Sequence, residues 1–165
     1  MSAATPARLR PASAADIEAI CTIWFHGWRD GHFGHVPDVL VHHRRMEDFR
    51  RLVPIRVPLT TVALLDDRVV AFVTVHDDEL EQVYVDASAR GTGVADAVLA
   101  RGEQAVAARF DRAWLAVVSG NARARRFYER NGWADAGSFD TPAPLPDGST
   151  LPVPALRYEK AVRPA

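Results

Sequence analysis

Cysteine is almost absent from this chain: Cys21 is the only one in 165 residues. No internal disulfide can form, which fits a reducing compartment and sets the expectation of a cytoplasmic protein. No apolar run approaches the length of a membrane span. Met1 to Pro11 holds no apolar signal core, so secretion is not expected. Charge of one sign is also lacking. Twenty Lys and Arg stand against 21 Asp and Glu, a formal net charge of −1, and nothing global attracts nucleic acid or an anionic membrane. There is no internal repeat and no low-complexity segment.

What is present suits one compact domain over 1–165, with 48% hydrophobic residues for a core and an ordinary 25% charged. Leu9-Arg10 reads as a short first strand. Ser13 is a candidate N-cap, with Asp16 and Glu18 in the first turn and Ile17, Ile20, Cys21, Trp24 and Trp28 at helical spacing. Gly27, Gly31 and Gly34 predict a loose end to that helix. Val36-Pro37-Asp38 reads as a break followed by a second helix to about Leu52, closed off by Pro54 and Pro58. Leu59 to Leu65 and Val69 to Val75 read as strands joined by a hairpin at Asp66-Asp67, and Leu80 to Val85 as the next strand. Val94, Val98, Leu99, Gly102, Ala105 and Val106 mark one face of a further helix. Trp114 to Val118 is a continuous apolar run, as expected of a strand covered on both faces. Asn121 caps the next helix, which Asn131-Gly132 ends. Pro142, Pro144, Pro146 and Pro152, with Asp147-Gly148, predict a long irregular connection before a returning strand at Leu156 to Glu159. The order is β-α-α-β-β-β-α-β-α-β-β.

The most informative stretch is Val83-Tyr84-Val85 followed by Arg90-Gly91-Thr92-Gly93-Val94-Ala95. A strand runs into a turn with two glycines and then into a helix. Free N–H groups and the positive end of the helix dipole point the same way there, which favours a phosphate or pyrophosphate. No Lys-Ser or Lys-Thr pair follows, so this is not a P-loop, and Asp96 stands where a dinucleotide fingerprint needs a third small residue.

Further along comes Asn121-Ala122-Arg123-Ala124-Arg125-Arg126-Phe127-Tyr128-Glu129-Arg130-Asn131-Gly132-Trp133. Together the two segments resemble the GCN5-related N-acetyltransferase (GNAT) family. Its acyl-CoA loop, Gln/Arg-x-x-Gly-x-Gly/Ala, is matched in full from Arg90 to Ala95. Its later motif, Asn-x-x-Ala-x-x-Phe-Tyr-x-x-x-Gly-Phe, is matched by Asn121, Ala124, Phe127, Tyr128 and Gly132, with Trp133 in place of the last Phe. The close likeness covers roughly residues 79 to 134. It implies an α/β (mixed α+β) GNAT fold: a central, mostly antiparallel sheet with a splayed parallel strand pair, flanked by helices.

The resemblance also implies chemistry. Acetyl-CoA is the expected co-substrate, with no metal, and a small-molecule or peptide amine is the expected acceptor. Backbone groups of Arg90, Gly91, Thr92, Gly93, Val94 and Ala95 would hold the pyrophosphate. Those of Val83, Tyr84 and Val85 would face the pantetheine, with the Val85 N–H toward the acetyl oxygen. Asn121 would cap its helix and reach the pantetheine, and Arg126, among Arg123 and Arg125, is the candidate for the 3′-phosphate. Tyr128 would be the general acid for the leaving thiolate. An alkylammonium, with a pKa near ~10, must lose a proton before attack. Glu79 is the first candidate for that base and Glu81 the second. Their side chains share a face of the strand unless a bulge intervenes, and the family's splayed strand often has one.

Five histidines, His26, His32, His35, His42 and His43, fall in one stretch, but Gly34 and Pro37 oppose a helical His-Glu-x-x-His metal site there. Trp28, His32 and His35 are instead candidate acceptor contacts, because the family's first two helices line that pocket. Arg29, Arg44, Arg45, Arg50 and Arg51 in the same region suit an acceptor carrying a carboxylate or phosphate. Cys21, on an apolar helix face, has no activating partner, which favours direct transfer in a ternary complex over an acyl-cysteine route. The rival reading is a non-catalytic acyl-CoA-binding or regulatory domain. A homodimer is a candidate assembly, since dimers are common in the family.

Overall fold

The computed structural model describes residues 6–164; Met1 to Thr5, on which part of the N-terminal reading rests, and Ala165 lie outside the described residues. Strand β1 (Arg8–Pro11) leads through a 3₁₀ turn at Ala14–Asp16 into α1 (Ile17–His32). Two helices follow, α2 (Asp38–His42) and α3 (Met46–Arg56). Then come β2 (Thr60–Leu65), β3 (Arg68–His76), β4 (Glu79–Val85), α4 (Val94–Ala107), β5 (Arg112–Val118), α5 (Ala122–Arg130), β6 (Ala134–Pro144) and β7 (Thr150–Ala161).

The strands form one sheet in the order β1-β2-β3-β4-β5-β7-β6. Every neighbouring pair is antiparallel except β4 and β5, which run parallel and share only the Glu79–Trp114 register, supported by a 3.0 Å bond from Trp114 N–H to the Asp78 carbonyl. Past that point no ladder joins them and the sheet opens into a V. Helix α4 covers one face over a core of Leu80, Val98, Leu99, Leu115 and Tyr158. Helices α1 and α3 cover the other over Trp24, Phe49, Val62 and Phe72. This is the mixed, mostly antiparallel sheet with flanking helices that the resemblance implies.

Four local expectations change. The expected second helix is two, broken between His42 and Met46, and α3 runs through Pro54 to Arg56. Pro54 lies in its last turn, where only one main-chain bond is forfeited, and the extension carries Arg56 to β4. Gly27 and Gly31 do not loosen α1. They lie inside it, because a Cβ at Gly27 would come within 2.5 Å of the Tyr84 ring and one at Gly31 within 2.7 Å of Asn121 Nδ2. Strand β5 is not covered on both faces, since Ala116 is exposed where the V opens.

Of the C-terminal prolines, Pro142, Pro144 and Pro152 lie within paired strands, and Pro146 alone among those named sits in the short turn that joins them. Leu145 N–H bonds Ser149 O at 2.8 Å, so Leu145 and Ser149 form a hydrogen-bonded pair. In that register, Pro142–Pro152, Asp140–Pro154 and Pro144–Thr150 are the alternating non-hydrogen-bonded pairs. Proline loses nothing at such sites, and on the edge strand β6 it removes the outward N–H groups that another chain would pair with.

Candidate active site

Strand β4 carries a bulge at Glu81: Thr74 faces Gln82 while Val75 faces Leu80. The extra residue flips the side-chain alternation. Leu80, Val83 and Val85 pack toward α4, while Tyr84 packs toward α1 against Trp24 and Phe72. Backbone polarity follows the register. Asp86 N–H bonds Val70 O at 2.7 Å, so the even-numbered residues 82, 84 and 86 pair with β3. Val83 and Val85 turn their N–H and C=O groups away from β3, into the V where β5 offers no ladder. Of the three residues expected to face the pantetheine, Tyr84 spends its main chain on β3, so only its ring reaches the clefts.

The loop after β4 shows the predicted local logic. Gly91 and Gly93 take φ of +77° and +83°, a region where a Cβ is strained. Arg90 N–H and Thr92 N–H turn inward to Ala87 and Ala89 carbonyls at 3.3 and 3.4 Å, and Thr92 Oγ1 also bonds Ala89 O at 2.6 Å. These two residues therefore hold the turn. The N–H groups of Gly91, Gly93, Val94, Ala95 and Asp96 have no acceptor among the described residues. Free donors converging on the start of α4 fit a pyrophosphate.

A cleft of about 650 Å³ runs from this loop to the V. Arg123, Arg126 and Arg130, on one face of α5, line it. Arg125 points elsewhere, toward Tyr158 Oη at 3.3 Å and Ser119 O at 3.4 Å. The Arg90 side chain pairs with Asp30 of α1 at 2.9 Å. Arg130 was not singled out from the sequence, although its position four residues after Arg126 puts it on the same helical face. Asn121 Oδ1 accepts the Ala124 N–H at 3.2 Å, the expected cap, and its residue lines the cleft beside Gly31.

A second cleft, about 370 Å³, adjoins the first at the V. Trp24, Trp28 and His32 of α1, Arg44, Phe49 and Arg56 before and in α3, and Glu79 to Tyr84 of β4 form it, with Thr141 to Pro144 of β6 as a wall. Val83, Tyr84, Asn121 and Tyr128 line both clefts. Tyr128 is buried; burial, with the nearby Tyr84, raises its pKa, so it stays protonated at neutral pH. Its hydroxyl has no hydrogen-bond partner among the described residues.

The two glutamates differ. Glu81 Oε1 accepts from Arg56 Nε and Nη2. Glu79 has neither hydrogen bond nor ion pair among the described residues, and burial first, then the Glu81 charge, raises its pKa. Gln82, buried between them and Val83, has an Oε1 with no partner among the described residues. It went unnoticed in the sequence, where the signal was a polar residue between Leu80 and Tyr84 in a strand.

Trp28 and His32 do line the second cleft. Their rings stack at 4.5 Å, His32 Nδ1 lies 2.8 Å from Trp28 O, and burial pushes the His32 pKa down to about 4. His35 does not join them. It is exposed and lies over Gly120, where a Cβ would collide with its ring, facing Asp30, Arg90 and Arg123. Cys21 is fully buried and burial raises its pKa, the opposite of an activated thiol. Among the described residues, no three His, Cys, Asp or Glu side chains converge as a metal ion would require, and no helix is long and apolar enough to cross a membrane.

The sequence profile described as "Acetyltransferase (GNAT) family" matches residues 18–133. Comparison with curated proteins returns no match. Among solved structures, a GCN5-related N-acetyltransferase from Rhodopseudomonas palustris is similar at 15% identity, covering 98% of this chain and 99% of that one with a TM-score of 0.75. PaiA N-acetyltransferase from Thermoplasma acidophilum, in complex with coenzyme A, is 18% identical over 95% and 99% of the two chains, TM-score 0.69. YncA, a putative acetyltransferase from Salmonella typhimurium with its cofactor acetyl-CoA, is 16% identical over 98% and 96%, TM-score 0.67.

Proposed function

Because this chain belongs to the GNAT acetyltransferase family, we propose that it moves an acetyl group from acetyl-CoA to a primary amine by direct attack in a ternary complex. The observation that carries this reading is the presence of an unneutralised carboxylate, Glu79, and an unbonded hydroxyl, that of the buried residue Tyr128, on the walls of one cleft. A domain that only binds acyl-CoA needs neither.

Bound acetyl-CoA supplies a thioester whose carbonyl carbon takes the amine. The free N–H groups from Gly91 to Asp96 hold the pyrophosphate, with Arg126 and Arg130 beside it, and Asn121 with the open edge of Val83 and Val85 receives the pantetheine. The Val85 N–H donates to the oxygen that gains negative charge during attack, a contact worth more in the transition state than in the ground state. Glu79 takes a proton from the ammonium, directly or through one water. Tyr128 donates its proton to the departing sulfur.

Thiol release from acetyl-CoA, followed across amino acids, polyamines, aminoglycosides, amino-phosphonates and short peptides, tests the reading. A no-acceptor blank and a Cys21→Ser control remove hydrolysis and self-labelling. Release with an amine is the expected result. CoA binding with silence throughout favours a non-catalytic acyl-CoA-binding domain, and absence of both overturns the reading.

A further inference from the structure

Five Arg, His and Glu side chains line the second cleft, and three of them are accounted for. Arg56 and Glu81 neutralise each other at 2.6 Å. His32 donates Nδ1–H to the Trp28 carbonyl and is uncharged at neutral pH. That leaves one cation and one anion, Arg44 and Glu79, without ionic partners among the described residues. Arg44 is half-buried, 6.0 Å over the Trp28 ring, with Nη1 donating to the Pro144 carbonyl at 2.9 Å. No carboxylate lies within 4.0 Å of it among the described residues, and its remaining N–H donors keep the planar fork that carboxylates and phosphonates fit. Burial lowers its pKa, with the more distant Asp48 charge acting the other way without forming an ion pair. Gln82, whose Oε1 is an orphan acceptor among the described residues, lines the same cleft, and a ligand N–H that reached this oxygen would relieve the cost of leaving it unpaired.

We propose that Arg44 is the anion subsite of the acceptor pocket, and that the acceptor is a compact primary amine that also carries a carboxylate or phosphonate. The proposal rests on the acetyl-transfer reading above for the amine half. The ammonium of such a molecule meets Glu79 and Gln82, its acidic group meets Arg44, and its body lies against Trp24, Trp28 and Tyr84. About 370 Å³ suits a molecule the size of an amino acid. A polyamine or aminoglycoside would bring a second cation to Arg44 and nothing to neutralise it.

The test uses matched pairs that differ only in the acidic group: phenylalanine with phenylalaninamide, glycine with glycinamide, and aminomethylphosphonate with methylamine. Thiol release gives kcat/KM for each with wild type, Arg44→Gln and Arg44→Lys. Quenching of tryptophan fluorescence by N-acetylphenylalanine and N-acetylphenylalaninamide gives affinity without turnover. Wild type should prefer the acid of at least one pair by about tenfold or more, Arg44→Gln should erase that preference, and Arg44→Lys should keep part of it. Acids that neither react nor bind better than their uncharged partners overturn the proposal, as does an Arg44→Gln variant that keeps the full preference. Turnover of amides but not acids leaves acetyl transfer standing and the anion subsite refuted. Arg44-dependent binding of the N-acetyl acid with no thiol release from any amine does the reverse.

Discussion

Arg56 and Glu81 are joined by two hydrogen bonds to one oxygen, from Nε and Nη2 to Oε1 at 3.0 and 2.6 Å. The pair neutralises one of two glutamates on the same strand and leaves Glu79 free. Glu79→Gln should therefore lower kcat/KM by about 10²-fold or more, within the usual range for a lost general base, with the acetyl-CoA dissociation constant unchanged. Glu81→Gln should cost less. Equal losses in the two variants would contradict the assignment.

The same geometry predicts a pH signature. A base works deprotonated, so kcat/KM should rise with pH through the Glu79 pKa, which lies above the ordinary carboxylate range. Glu81 contributes to that elevation. Removing its charge in Glu81→Gln lowers the Glu79 pKa, so the acidic limb of the profile should move to lower pH. A limb that stays put or moves up excludes Glu79 as the titrating group.

Tyr128 separates catalysis from stability. Because its hydroxyl bonds nothing among the described residues, Tyr128→Phe should change the unfolding free energy by less than about 1 kcal/mol. Turnover should fall on the order of 10²-fold, the low end for general acids, since a thiolate is a fair leaving group. Chemical denaturation and steady-state kinetics on one preparation decide it.

The glycines of α1 make opposite demands to helix propensity. Alanine normally favours a helix by roughly 1 kcal/mol over glycine. Gly27→Ala should nevertheless destabilise by about 1–3 kcal/mol, as overpacking does, because its Cβ meets the Tyr84 ring at 2.5 Å. Gly31→Ala pushes on Asn121 Nδ2 instead and should weaken CoA binding, measured by calorimetry, more than it lowers the melting temperature.

Asp16 ties the first strand to the first helix. Arg10 grips both its oxygens at 2.7 and 2.9 Å, the Ser13 N–H adds a bond at 2.8 Å, and its pKa falls to about 2. The Arg10 bonds contribute most. A carboxyl whose folded pKa lies below its unfolded value of about 4 stabilises the fold above that pH and loses the contribution as pH falls toward 2. Asp16→Asn should therefore cost about 2 kcal/mol at neutral pH, and the gap from wild type should close between about pH 4 and 2. A gap independent of pH in urea titrations would rule out the ion pair as its source.

What the amino-acid sequence determined by itself was local. The glycine turn at Gly91 and Gly93, the Asn121 cap, the hairpin at Asp66-Asp67 and, apart from the split of the second helix, the element order are set by neighbours within a few residues, so propensity and spacing suffice to read them. The family likeness carried the V of β4 and β5, and the parity argument named the bulge as the condition on which Glu79 and Glu81 depend. Where the sequence misled, a distant partner had overruled a local rule. Gly27 and Gly31 read as helix breakers until Tyr84 and Asn121 need the space. Pro142, Pro144 and Pro152 read as loop until the register puts them at positions that donate nothing.

The second cleft was decided only in three dimensions. Its walls come from α1, from Arg44 and α3, from β4 and from the β6 hairpin, segments far apart in the chain, as the Arg44 bond to Pro144, a hundred residues on, shows. No spacing in the chain encodes that Arg56 neutralises Glu81, that Arg44 keeps its charge unpaired, or that His35 turns away while His32 turns in. Charge compensation in a buried site depends on which groups meet after folding, and that is a property of the packed sheet and its helices rather than of any stretch of sequence.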